Sequence, residues 1–168
     1  MCEKYARALR HHSFRRLGMI FIETPQNPTI ELVDIEMCVR VARECGGKQD
    51  EPPVVVVDNT FLGPFQKPLD FGADLVVYSA TKYIGGHSDV AAGVCSGRQE
   101  LIKKLKTRRA ERGSVIGPFE AWLLARSLPT MHMRMMEQTK NATEIALFLN
   151  GHPHIERVRY PGLLTPGT

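Results

Sequence analysis

The stretch LVVYSATK, residues 75–82, decides the predicted fold. Its first half is a continuous apolar run rich in β-branched residues, which is typical of a strand covered on both faces of a sheet. Its second half carries two hydroxyl groups and an amine directly after that run. The stretch therefore predicts a buried strand whose end presents polar, potentially reactive side chains.

Two similar segments precede this stretch. Met19–Ile22 is a short apolar run that ends in a Glu-Thr-Pro turn, and Val54–Val57 is a β-branched run that ends at Asp58. Residues at helical spacing lie between them, before a stop at Gly46 and Gly47: Leu32, Ile35, Val39 and Ala42. Strands that alternate with helices predict an α/β fold with a mostly parallel sheet and flanking helices.

The chain after residue 97 is predicted to be largely helical. A helix with Pro129 in its first turn and an end at Asn150-Gly151 is indicated by residues spaced alternately four and three apart. These residues are Met131, Met135, Gln138, Ala142, Ile145 and Leu149. Val90–Cys95 and Ile155–Tyr160 are two further candidate strands.

Composition limits the class of protein. The chain has 168 residues, of which 43% are hydrophobic and 24% charged, so it can bury one sizeable core. It contains neither a run of about 20 apolar residues that would span a bilayer nor a secretory signal. The spacing of its cysteines and histidines predicts no metal site, and Cys38 and Cys45 are expected to be small core residues of a cytoplasmic protein.

Basic residues cluster in two places. The net charge of +4 is accounted for by residues 1–17, and residues 98–112 hold seven Lys or Arg against two Glu. Nucleic-acid binding through these clusters is an open alternative. We favour solvated surfaces instead, because no aromatic residues are interleaved with the charges as stacking platforms.

Polar groups follow each of the three predicted strands. These groups are Asn27, Asp58 and the set Ser79, Thr81 and Lys82. In an open α/β sheet, ligands bind outside the carboxyl ends of the strands, so we expect these side chains to share one crevice. Hydroxyls bind phosphate, a carboxylate pairs with a protonated ring nitrogen, and a desolvated lysine attacks an aldehyde to form a Schiff base. This combination is what pyridoxal 5'-phosphate (PLP) requires.

Three segments closely resemble the Cys/Met-metabolism (trans-sulfuration) family of PLP enzymes, which includes cystathionine γ-synthase, cystathionine lyases and methionine γ-lyase. They are ETPQNP at residues 23–28, VDNTF at 57–61 and YSATKYIGGHSD at 78–89. The likeness extends over about residues 19–164. It implies the large domain of PLP fold type I, resembling aspartate aminotransferase.

The resemblance also implies a role for each candidate residue. Lys82 matches the lysine that binds the cofactor covalently and then moves protons on the substrate carbons. Asp58 matches the acid beside the pyridine nitrogen, Ser79 and Thr81 match phosphate ligands, and Asn27 matches the residue near the phenolic oxygen. The implied reaction is elimination or replacement at the β or γ carbon of cysteine-, homocysteine- or cystathionine-like substrates.

Members of that family are longer and work as homo-oligomers, dimers or tetramers. We therefore expect a fragment with three parts: a basic segment at 1–18, a partial PLP-binding large domain at 19–150 and the start of a truncated C-terminal domain at 151–168. The fragment is expected to bind PLP weakly and to be inactive. The alternative is a non-catalytic remnant or assembly partner, and we expect neither nucleic acid nor a membrane as a partner.

Overall fold

The structure, a computed structural model, describes residues 17–46 and 51–164. Its strands and helices are β1 (Met19–Glu23), α1 (Ile35–Gly46), β2 (Val54–Asp58), β3 (Leu75–Ser79), β4 (Gly93–Gly97), α2 (Gln99–Arg112) and α3 (Pro118–Leu149). Short 3-10 turns lie at Gly63–Phe65 and Pro161–Leu163. The predicted basic segment at 1–18 lies almost wholly outside the described residues.

The four strands form one sheet in the order β1-β2-β3-β4. The first three strands are parallel, and β4 pairs antiparallel with β3. The α/β class with a mostly parallel sheet is therefore confirmed. The candidate strand at Val90–Cys95 is observed at Gly93–Gly97, since residues 90–92 belong to the connection that follows β3.

Helix α1 covers one face of the sheet. Side chains alternate between the two faces of a strand, so Ile20, Val55 and Val57 point to the same side and pack against the apolar residues of α1. The opposite face of β1 is open, with Met19 52% and Phe21 58% exposed. The prediction of a buried first strand thus holds for one face only.

A buried carboxylate connects α1 with both ends of the β3–β4 hairpin. Asp74, 1% exposed, accepts a hydrogen bond from the Val55 amide at 2.8 Å and ion pairs from Arg43 at 3.1 Å and Arg98 at 3.0 Å. Because each partner belongs to a different segment, the carboxylate fixes α1, β2 and the start of α2 relative to β3.

Helix α3 is longer than the sequence pattern predicts. It begins at Pro118 and passes through Pro129, so the expected start at Pro129 is wrong. Proline has no amide hydrogen to donate to the carbonyl four residues earlier, that of Ala125. Close to the proline, the side chains of Thr130 and Arg134 both donate to the Ser127 carbonyl. The predicted end before Asn150-Gly151 is confirmed.

The buried face of α3 differs from the predicted face. Leu124, Met135 and Ala146, spaced 11 residues apart, are its buried residues, whereas Ile145 is 59% exposed. An 11-residue spacing is three helical turns, so these three residues lie on one line. Of the methionines on this helix, Met135 is buried and Met131 packs against a buried core cluster, whereas Met133 and Met136 are exposed.

The segment at residues 155–160 is not a strand, contrary to the prediction. Its apolar alternation instead places Tyr160 against α3, where its hydroxyl lies 2.7 Å from the Thr143 hydroxyl. Among the described residues, no helix has both the length and the apolar character needed to cross a membrane.

Candidate functional site

The parallel register brings the polar ends of three strands to one edge. Glu23 is paired with Asp58, Asp58 with Val77, and Ser79 lies two residues beyond Val77 on the same strand. Because side chains alternate, Asp58, Val77 and Ser79 project from the same face. This is the face of the sheet that α1 leaves open.

The Thr60 hydroxyl joins Asp58 to Ser79. It donates a hydrogen bond to Asp58 Oδ1 at 2.6 Å and accepts one from the Ser79 amide at 2.8 Å. The Thr60 amide donates to the same carboxylate oxygen at 2.9 Å. Two donors hold Oδ1 and fix the orientation of the carboxylate, and its second oxygen has no hydrogen-bond partner among residues 17–46 and 51–164.

A buried amide network supports this corner. Asn59, fully buried, donates through its side chain to the carbonyls of Gly63 and Gln66 at 2.9 Å and to the Tyr78 hydroxyl at 3.2 Å. The Gln66 side chain in turn donates to Asn59 Oδ1 at 2.9 Å and to the Thr24 carbonyl at 3.1 Å. The network therefore connects the carboxyl ends of β1, β2 and β3 without using the side chains of Asp58 or Ser79.

Lys82 lies in the tight turn that follows β3. The Lys82 amide donates to the Ser79 carbonyl at 3.1 Å, and the Gly86 amide donates to the Lys82 carbonyl at 2.7 Å. The side chain is exposed, and within residues 17–46 and 51–164 its amine has neither an ion-pair nor a hydrogen-bond partner. The turn thus fixes the backbone of Lys82 and leaves the amine available.

Thr81 is tied to the strand connection on the far side of Lys82. Its hydroxyl accepts from the Ala92 amide at 3.0 Å and donates to the Ala92 carbonyl at 3.3 Å. The hydrogen bond that the Thr81 hydroxyl donates is longer than usual, so little free energy is lost when a hydrogen bond to an anionic oxygen replaces it. Ser79, by contrast, has no side-chain hydrogen bond within the described part of the chain.

An open cavity of about 710 Å³ lies beside Lys82. Its walls include Phe61, Thr81, Tyr83 and, from α3, Gln138. A volume of this size accommodates a small organic ligand. Lys82 lines this cavity, whereas Asp58 and Ser79 do not.

Asn27 is the candidate residue that the structure leaves most separate. It lies in the exposed turn after β1, and the adjoining residues close that turn through the Gln26 amide and the Glu31 carbonyl at 2.9 Å. The turn follows the same edge of the sheet as Asp58, but no contact joins Asn27 to the other candidate residues within the described segments.

Sequence reasoning missed Thr60, although a signal was present. An aspartate two residues before a threonine favours a turn in which the carboxylate accepts from the later backbone amide. That pattern, at Asp58 and Thr60, predicts the 2.9 Å bond. The bond to the Ser79 amide depends on strand register and was not accessible from local sequence.

Comparison with known proteins agrees with the resemblance. Residues 3–166 match the family described as "Cys/Met metabolism PLP-dependent enzyme". A probable cystathionine gamma-synthase from Herpetosiphon aurantiacus is 46% identical over 147 residues, which is 86% of this chain and 44% of that protein. An L-methionine gamma-lyase from Fusobacterium nucleatum subsp. nucleatum is 44% identical over 153 residues, 89% of this chain and 38% of that protein.

A cystathionine gamma-lyase from Dictyostelium discoideum is 46% identical over 147 residues, covering 86% of this chain and 36% of that enzyme. The chain thus spans well under half the length of these relatives. By name, these relatives are two gamma-lyases and a probable gamma-synthase. With this match over nearly all of its length, the chain belongs to the Cys/Met metabolism PLP-dependent enzyme family.

Proposed function

We propose that the protein carrying this chain is a cytoplasmic trans-sulfuration enzyme that uses PLP in the large domain of fold type I. Its substrates are sulfur amino acids such as cysteine, homocysteine or cystathionine, and its reaction is elimination or replacement at the β or γ carbon. The arrangement that carries the proposal is the one at the carboxyl edge of the sheet. There an oriented carboxylate, a serine hydroxyl and an available lysine amine follow two neighbouring parallel strands.

The donor set fits the cofactor's chemistry. Asp58 offers an acceptor oxygen to a protonated pyridine nitrogen, and the hydroxyls of Ser79 and Thr81 suit a phosphate. Lys82 supplies the primary amine that an aldehyde requires. Asn27, at the same edge, is proposed to lie near the phenolic oxygen.

When bound, PLP withdraws electrons from the substrate's α carbon. The protein's part is to hold and move protons around that group. Asp58 keeps the ring nitrogen protonated because its fixed negative charge favours the charged form of the ring. Lys82 would hold the cofactor through its primary amine, and as a free amine it would accept the proton from the α carbon and return a proton to the reacting side chain.

The chain covers only 36–44% of the length of the three relatives described above. We expect residues 19–150 to form part of a PLP-binding large domain and residues 151–168 to begin a second domain. Full-length protein is proposed to be a homo-oligomer that completes the substrate site. The 168-residue chain alone is therefore expected to capture PLP weakly without turning over cystathionine or methionine.

Selective labelling of Lys82 tests the proposal. The purified chain is mixed with PLP, reduced with borohydride and digested, and the pyridoxyl group on each lysine is quantified by mass spectrometry. We expect Lys82 to be labelled preferentially and to give a visible absorbance band before reduction. Lys82→Ala should abolish the band.

The matched control is Lys103→Ala, which removes an exposed lysine of α2. It should leave both the band and the label at Lys82 unchanged. Equal labelling of Lys82 and Lys103 in the unaltered chain would contradict the proposed cofactor site and would favour a non-catalytic remnant.

A further inference from the structure

The guanidinium of Arg134 reaches from the middle of α3 to the turn that carries Lys82. Its Nη1 donates to the Tyr83 carbonyl at 3.0 Å, and its Nη2 lies 3.5 Å from the Ile84 carbonyl. These are the two residues that directly follow Lys82. One half-buried side chain therefore binds the backbone of the candidate lysine turn from a helix about 50 residues away in sequence.

The guanidinium is itself oriented by its own helix. Its Nη2 donates to the Ser127 carbonyl at 3.0 Å, and its Nε donates to the Thr130 hydroxyl at 3.1 Å. Both acceptors flank Pro129, the residue that interrupts the hydrogen bonding of α3. Two hydrogen bonds within α3 thus orient the planar guanidinium, which reduces the conformational entropy lost when it binds the turn.

The turn is shaped to admit this side chain. Gly86 has φ +72°, in the left-handed region, and a Cβ at residue 86 would overlap the Arg134 guanidinium. Gly86 also closes the turn, because its amide donates a hydrogen bond to the Lys82 carbonyl. A side chain at this position would displace the arginine, so the turn and Arg134 form one unit.

We propose that Arg134 is the positioning residue for Lys82. It holds residues 83 and 84 by charge-assisted hydrogen bonds and so fixes the direction from which the lysine amine leaves the backbone. The argument rests on the proposed function of Lys82, but the contacts with the turn are a property of the chain itself. Arg134 acts through the backbone of the turn and touches neither cofactor nor substrate in this role.

The first test uses hydrogen exchange without cofactor. Arg134→Met keeps much of the side-chain length and removes the donors. We expect amide exchange in the peptide that spans residues 80–88 to become about tenfold faster or more, because charged hydrogen bonds restrain local opening. Exchange in β2 should not change. Arg126→Met is the matched control on the same helix, since Arg126 is exposed and its guanidinium lies over the Trp122 ring.

The second readout is borohydride labelling with PLP. In Arg134→Met the label at Lys82 should fall about tenfold relative to the label at Lys103, again from the loss of charged hydrogen bonds. Arg134→Lys keeps the charge but offers a single ammonium in place of the fork, so it should give an intermediate value. If Arg134→Met does not fold, the same two measurements on Arg134→Lys decide the matter.

A double-mutant cycle separates this idea from general destabilisation. Gly86→Ala should lower labelling of Lys82 as Arg134→Met does, and the double variant should lose less than the product of the two single losses. Independent, multiplicative losses would overturn the proposal, as would wild-type exchange at 80–88 together with wild-type labelling in both arginine variants. Failure of the proposed function has a different signature, because the unaltered chain would then show no preference for Lys82.

Discussion

At the scale of single residues, the Thr60 hydroxyl helps to fix the orientation of the Asp58 carboxylate. Thr60→Val preserves the shape of the side chain but removes the donor to Asp58 Oδ1 and the acceptor for the Ser79 amide. We expect the free energy of unfolding to fall by about 1–2 kcal/mol, because the half-buried Ser79 amide loses its partner. Labelling of Lys82 by PLP should fall several-fold as well.

The matched variant for this prediction is Thr60→Ser, which keeps the hydroxyl. Urea unfolding should place its stability within about 0.5 kcal/mol of the unaltered chain, and labelling of Lys82 should be retained. Equal losses in the serine and valine variants would show that the threonine methyl group matters and that the hydroxyl bridge does not.

Some of the candidate residues can be predicted from the sequence, whereas the partner residue Arg134 cannot. Lys82, Asp58 and Ser79 are found from their positions after apolar runs, since the ends of parallel strands meet at one edge. Arg134 gives no such signal, because an arginine in an amphipathic helix is ordinarily a solvated charge. Its contacts depend on how α3 crosses the turn after β3, and local pattern contains no information on that crossing.

At the scale of elements, Asp74 is expected to stabilise the sheet in a pH-dependent manner. Burial by itself raises the pKa of Asp74, but the Val55 amide, Arg98 and Arg43 together outweigh burial and lower the pKa below its ordinary value of 3.8. A carboxyl whose pKa is lowered on folding stabilises the protein fully above its unfolded pKa. That contribution is lost as the pH falls from 3.8 through the lower folded value.

Asp74→Asn should therefore lower the free energy of unfolding by about 2–3 kcal/mol at neutral pH. We expect this loss of stability to be smaller than that for breaking a fully buried ion pair, because the side chains of Arg43 and Arg98 are 42% and 53% exposed. Urea unfolding between pH 3 and pH 7 measures the difference, which should narrow as the solution becomes more acidic.

The control is Asp70→Asn, which changes an exposed carboxylate in the turn before β3. It should alter stability by no more than about 0.5 kcal/mol at any pH in this range. A constant difference between Asp74→Asn and the unaltered chain, independent of pH, would contradict the ion-pair explanation.

The elements themselves were predictable where short-range pattern governs them. Bounds of β1, β2 and β3 follow from apolar runs that end at polar residues, and these bounds are confirmed within a residue. The start of α3 was not predictable from Pro129, because proline suits the first turn of a helix and the local pattern does not show that this helix continues through it. At residues 155–160, contact with α3 replaces the strand pairing that the alternation suggested.

At the scale of the whole molecule, the described residues leave apolar surface open in several places. Examples are the face of β1 with Met19 and Phe21 and the end of α3, where Ile145 is 59% and Phe148 72% exposed. Large contiguous apolar patches on a monomer mark interaction surfaces or sites of association. Since the chain spans 36–44% of the relatives described above, we propose that other parts of the full-length protein cover these faces.

The chain by itself should therefore self-associate. Sedimentation velocity is expected to show species heavier than the 18.8 kDa monomer, and their share should increase with protein concentration.

Phe148→Glu should shift the distribution towards the monomer while changing the free energy of unfolding by no more than about 0.5 kcal/mol, because the side chain is already exposed. Leu124→Ala, on the buried face of the same helix, should lower the free energy of unfolding by about 2–4 kcal/mol without reducing self-association. A strictly monomeric chain at every concentration would show that these apolar faces do not drive association in water.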